Sequence, residues 1–165
     1  MKQARIAVVL LLGVLLVLGL ACDGGEVSTS TPTPTTTTTP TVTAYISLID
    51  NLREAGATVV DTGGVIQQPC ISVDGKAITV NGSYVQVFEY EDAAAADTEA
   101  ALISPTGSPI NNNGQICFIS WIARPHFYKA SNLIVLYVGD NQAVRDVLET
   151  VLGPQFAGSS KTDWL

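Results

Sequence analysis

The chain reads as an α+β protein: an antiparallel sheet of about five strands with helices packed on one face, after an N-terminal signal and a disordered linker. Three observations predict this. Apolar residues recur at i, i+3, i+4 and i+7 in Tyr45–Leu52 and again in Val144–Val151, the spacing of one buried helix face. Asp74-Gly75 and Asn81-Gly82 are two-residue turn signals set in alternating apolar sequence. Finally, 85–102 and 134–152 echo each other, each running strand, acidic cap, helix. Hairpins followed by helices suggest a layered sheet, and one domain over 44–156.

The first helix is predicted from Tyr45, Leu48, Ile49 and Leu52, with Asp50 and Arg53 paired on its outer side and Gly56 as its stop. A three-stranded meander follows over 69–73, 76–80 and 83–90. Its turns set Ile71 opposite Ile78 and Ile78 opposite Val85, so that Val73, Val80 and Val87 complete an apolar face. The other face carries Cys70, Ser72, Thr79, Tyr84, Gln86 and Phe88. Its mixed character makes Tyr84, Phe88 and Tyr90 a candidate binding face, or else a second packed layer.

Asp92 caps a second helix over 93–103, whose alanines allow close approach to a sheet. Composition alone makes 104–115 a loop. Two apolar strands follow at 116–123 and 133–138, with "RPHFYKASN" between them as a hairpin whose first arm is broken by Pro125. Asp140 caps the third helix, Gly153-Pro154 ends it, Phe156 packs back, and 157–165 is a flexible tail.

Charge limits the partners. With Lys2 and Arg5 removed in a leader, six basic side chains face fifteen acidic ones, a formal charge of −9. Such a surface repels phosphate backbones and anionic head groups, which argues against nucleic acid and against charge-driven membrane binding. Attachment to a membrane then falls to the N-terminus. Lys2 and Arg5 precede the uncharged run Ile6–Leu20, which at about 1.5 Å per residue falls short of a hydrocarbon core of roughly 30 Å. A positive start, a short apolar middle and a small residue at the cut describe an export signal over 1–21; an uncleaved signal anchor is the alternative. Residues 22–43 hold a lone Cys22 and a Thr/Pro tract that cannot offset its ordering entropy; its prolines favour extended conformers, and its threonines are candidate sugar acceptors.

Leu18-Gly19-Leu20-Ala21-Cys22 resembles the lipobox of bacterial lipoproteins, although Gly19 stands where that family usually has leucine. The resemblance implies cleavage before Cys22, a diacylglyceryl thioether on its sulfur and an acylated N-terminus. Anchoring by two or three chains is stable where one would be marginal. Residues 125–158 also resemble the ends of uncharacterised bacterial lipoproteins, a group with no activity to lend. The resemblance implies a lipid-anchored protein on the extracytoplasmic face of the cell membrane, with an envelope protein or polymer as candidate partner.

Chemistry-bearing residues are sparse. If Cys22 carries lipid, Cys70 and Cys117 remain, as a disulfide or as two buried thiols. A single histidine, His126, rules against a His/Cys metal cluster. Ser131 and Asp140 lie near it in sequence but without a nucleophile elbow. Glu89, Glu91 and Asp92 form a small acidic group without calcium-loop spacing. The residues therefore imply a non-catalytic binding module without cofactor or metal, the alternative being a small hydrolase using His126.

Overall fold

The computed structural model describes residues 42–112 and 114–158. The signal, Cys22 and the Thr/Pro tract up to 41 lie outside the described residues, as does the tail from 159 onward. The elements run α1 (Tyr45–Glu54), β1 (Val59–Ile66), β2 (Gly75–Val80), β3 (Ser83–Glu89), α2 (Ala93–Leu102), β4 (Ile110–Asn112), β5 (Gln115–Cys117), β6 (Pro125–Ala130), β7 (Leu133–Val138), α3 (Gln142–Leu152) and β8 (Ala157–Gly158). This is an α+β fold. Its main sheet has six strands in the order β1-β2-β3-β7-β6-β8, each pair antiparallel, and β4-β5 is a separate small hairpin.

Each helix forms for a local reason. In α1 the stripe Tyr45, Leu48, Ile49 and Leu52 is buried, Asp50 and Arg53 pair at 3.6 Å, and Gly56 follows with φ +88°. The Asp92 carboxylate accepts from Ala95 N at 2.8 Å and starts α2. The cap of α3 is Asn141, accepting from Ala143 N at 3.1 Å, and not Asp140, whose carboxylate instead faces Arg124 at 3.5 Å.

The central strands are apolar on both sides, so the sheet is covered on both sides. α1 and α3 lie on one face, where Ile78, Val80, Val85, Val87, Leu133, Val135 and Tyr137 meet Leu48, Leu52, Val144 and Leu148. α2 lies on the opposite face, where Phe88, Ile134, Leu136 and Phe127 meet Ala96, Ile103 and Ile110. The expectation of one helical layer thus holds for two of the three helices. The run Leu133–Tyr137 is buried at every residue, which only two covers can achieve. At about 1.5–3 kcal/mol per fully buried large side chain, both cores are needed to offset chain entropy.

Several predicted strands shift. Residues 69–73 form a turn: Cys70 has φ +71°, and Ile71 N donates to the Gln68 carbonyl at 3.2 Å. Ile71 therefore packs in the second core, on the far side from Ile78. The partner of β2 is instead β1, over Val59–Ile66, with Ile78 opposite Asp61 and Val85. A bulge between Asp61 and Gly64 interrupts the alternation of β1. Asn81-Gly82 does turn β2 into β3, both at positive φ, whereas Gly75 starts β2 inside the ladder. The apolar run 116–123 joins a ladder only through Ile116 and Cys117, at the end of β5; the next strand begins at Pro125, where no N–H is lost from the ladder interior. At the ends, Val42 is buried in the first core, and Ala157-Gly158 pairs with β6 where a flexible tail was expected.

Candidate functional site

The predicted binding face does not survive as a face. Tyr84, Phe88 and Tyr90 share one side of β3, but only Tyr84 is open, at 64% exposure, while Phe88 and Tyr90 are buried in the second core. The reason is the cross-strand partner of Phe88. Gly75 sits opposite, and a Cβ there would lie 2.7 Å from the phenyl ring, so the ring fills the place of the missing side chain. Tyr90 lies beside Glu99, a buried carboxylate of α2 that accepts from Ser72 N at 3.3 Å and from the Ser72 hydroxyl. Burial, then the charge of Glu99, pushes the Tyr90 phenol up. These bonds fasten Ser72 to α2, and its neighbours Ile71 and Val73 pack in the same core as Phe88.

His126 is fully buried. Its Nδ1 lies 2.7 Å from the side-chain amide of Gln155, its Nε2 lies 3.1 Å from the Gly139 carbonyl oxygen, and the ring stacks on Tyr137 at 5.9 Å. Both partners are carbonyl oxygens, Gln155 Oε1 at Nδ1 and the Gly139 carbonyl at Nε2, and a carbonyl can only accept, so each ring nitrogen that carries a hydrogen donates it to its partner. Neither nitrogen meets a hydroxyl or thiol. Ser131 stands at the β6–β7 turn, the far end of the hairpin from His126. His126 is thus a packing residue, and among the described residues its two ring hydrogen bonds go to Gln155 and Gly139 and not to a nucleophile. Desolvation, reinforced by the Arg145 cation, pulls its pKa below the usual value against the opposing pull of Gln155, Gly139 and Asp140. Unfolding exposes a histidine of ordinary pKa, so the unfolded chain binds more protons below about pH 6.5. Stability is complete above that pH and falls as pH drops through the window toward the depressed folded value. Urea midpoints measured from pH 7.5 to pH 5.5 are expected to fall in the native protein and to stay flatter in His126→Gln; equal slopes would refute this.

The acidic group also has structural work. Glu89 accepts from Tyr45 N at 3.1 Å and meets Lys76 at 3.3 Å, while the Lys76 ammonium lies 4.2 Å from the centre of the Tyr45 ring. Burial, then the nearby Asp61 carboxylate, pushes the Tyr45 phenol up to about 12. Among the described residues no group of three His, Cys, Asp or Glu side chains could hold a metal ion, and no helix is long and apolar enough to cross a membrane.

A different surface stands out. Cys70 and Cys117 form a disulfide, with Cα atoms 6.2 Å apart, that ties β5 to the 67–74 turn. From there to β6 the chain alternates. Cys117, Ile119 and Trp121 turn inward: Ile119 N donates to Ser108 Oγ at 3.2 Å, and Trp121 Nε1 donates to the Gly107 carbonyl at 3.1 Å while its ring meets Phe127 edge-on at 5.9 Å. Ile116, Phe118, Ser120 and Ile122 turn outward, and the three large ones are 63%, 77% and 99% exposed. Beside this ridge lies a groove of about 460 Å³ whose lining includes Thr106, Trp121, Ile122, Arg124, Pro125 and Asp140.

The usual logic of a half-covered segment, apolar in and polar out, holds here only for the inner set, because the outward set is apolar as well. The sequence does contain the alternation, but a run apolar at nearly every place does not reveal which set faces water. Comparison of the chain with protein-family models, with curated proteins and with solved structures finds no match.

Proposed function

We propose that the chain is a lipid-anchored, extracytoplasmic, non-catalytic binding module whose contact surface is the ridge Ile116–Ile122 and the groove beside it. The observation that carries the binding half is the outward set Ile116, Phe118 and Ile122, held at its base by a disulfide. Exposing large apolar side chains on a braced segment costs solubility and contributes nothing to either core, as expected of a surface that is covered in use. The anchoring half rests on the sequence Leu18–Cys22 after a short apolar leader. The disulfide supports the same compartment, since such bridges persist where the surroundings are oxidising. A rigid, braced surface loses little entropy on contact, which favours recognition over catalysis requiring motion.

Intact mass of protein extracted from membranes tests the anchor. The expected species begins at Cys22, carries acyl mass and gains about 2 Da on reduction, one hydrogen per sulfur. Cys22→Ser is expected to lower the cleaved, membrane-bound fraction at least about tenfold, because loss of the thioether leaves no acyl chains to bury. A Cys22→Ser protein that stays as firmly bound and as fully processed as the native one would sink the proposal.

A further inference from the structure

We infer that the partner of the 116–122 ridge is the bilayer surface itself, so that Ile116, Phe118 and Ile122 seat the domain on the membrane to which Cys22 tethers it. This rests on the anchored reading and deepens it.

Charge is the first support. All fifteen carboxylate side chains lie outside residues 100–139, a forty-residue stretch whose only formal charges are Arg124 and Lys129. The ridge residues 116–122 carry no charge, and the carboxylate lining the groove beside them, Asp140, is paired with Arg124 at 3.5 Å, so the repulsion an acidic protein meets at an anionic bilayer is weakened there. α1 and α3, with Asp50, Glu54, Asp146 and Glu149, cover the opposite face of the sheet.

Shape is the second. Ile122 is 99% exposed and Phe118 77%, so these side chains project as separate knobs and do not form a flat patch. A protein partner would need matching sockets; fluid acyl chains accept knobs of any shape. The polar neighbours Asn111, Asn112, Gln115 and Ser120 are neutral, suited to the head-group layer, and Trp121 sits at the base of the ridge, where an indole with one bonded N–H suits the interface.

Tethering is the third. A contact too weak to hold a free protein suffices once the domain is already confined near the bilayer, because the second binding event is intramolecular. The segment between Cys22 and Val42 can reach roughly 60 Å at full stretch, enough for the ridge to meet the same membrane.

The test uses the full chain reconstituted in vesicles of phosphatidylcholine and phosphatidylglycerol. The chain has two tryptophans, so Trp164→Phe leaves Trp121 as the only emitter. Lipids brominated at shallow acyl positions are expected to cut its emission at least twofold relative to unbrominated lipid. Phe118→Ser with Ile122→Ser, both fully outward changes, is expected to abolish the quenching while the near-ultraviolet circular dichroism stays native. Protein that floats with the vesicles but shows no quenching overturns this inference alone. Protein that does not float overturns the anchored reading and this inference with it. A photo-cross-linker at Ile122 that captures protein and no lipid in cells also overturns it, in favour of a protein partner.

Discussion

Cys70→Ser combined with Cys117→Ser is expected to lower the unfolding free energy by about 4 kcal/mol, the chain-entropy value for a closed loop of this length. The two cysteines are 47 residues apart in sequence, and the loop they close contains β2, β3, α2 and β4. For a domain of about 115 residues that corresponds to a thermal midpoint lower by roughly 15 °C. Reductant should bring the native protein to the same midpoint and leave the variant unchanged. A midpoint within about 2 °C of native in both cases would show that the 67–74 turn and β5 are held by Glu99, Ser72 and Ser108 without the bridge. The loss should also loosen the ridge, since Cys117 is one of its three inward fixings.

Phe88→Ala is expected to cost about 3–5 kcal/mol, and Tyr84→Ala less than about 0.5 kcal/mol. The two aromatics sit four residues apart on the same side of β3. They differ because Phe88 fills the space over Gly75 and lies fully inside the second core, whereas nothing packs over most of Tyr84. Urea unfolding of the two variants decides the matter. Similar shifts would mean that the second core does not close over that side of β3, and that the aromatic face foreseen from sequence is open after all.

How much could be read in advance varies with the kind of signal. α1 and α3 were legible because their apolar spacing is regular; all four α1 positions are buried, while in α3 Val144, Leu148 and Val151 are buried, Val147 only partly, and Leu152 joins them from outside the predicted set. The β2–β3 turn was legible because Asn81-Gly82 supplies two residues tolerant of positive φ. β1 was not, because its alternation breaks at Thr62-Gly63-Gly64, where the bulge lies, and a broken period looks like a loop. Asp74-Gly75 carries the same local signal as a real hairpin turn, yet the chain uses that glycine to admit a phenyl ring. β8 has only two residues, too few for any pattern, and owes its place to pairing with β6. Of the site, the two cysteines were visible from sequence. The outward set at 116–122 was hidden because local pattern cannot say which side of an apolar run is covered; that depends on Ser108, Gly107 and Cys70, all distant in the chain.

The two ends of the domain complete one core. Tyr45, Leu48 and Leu52 of α1 pack with Val144, Leu148 and Leu152 of α3, and the outer neighbour of β6 is the still later β8. A chain emerging N-terminus first, from a ribosome or through a membrane pore, therefore cannot close its first layer until nearly all of it has appeared. The pairing of β3 with β7 waits as well, since 43 residues separate Glu89 from Leu133, their first paired positions. Such a layout leaves partial chains without a closed core until late in synthesis, and it delays the meeting of Cys70 and Cys117. Late closure of this kind suits the export route proposed above, in which a chain crosses a membrane before it folds.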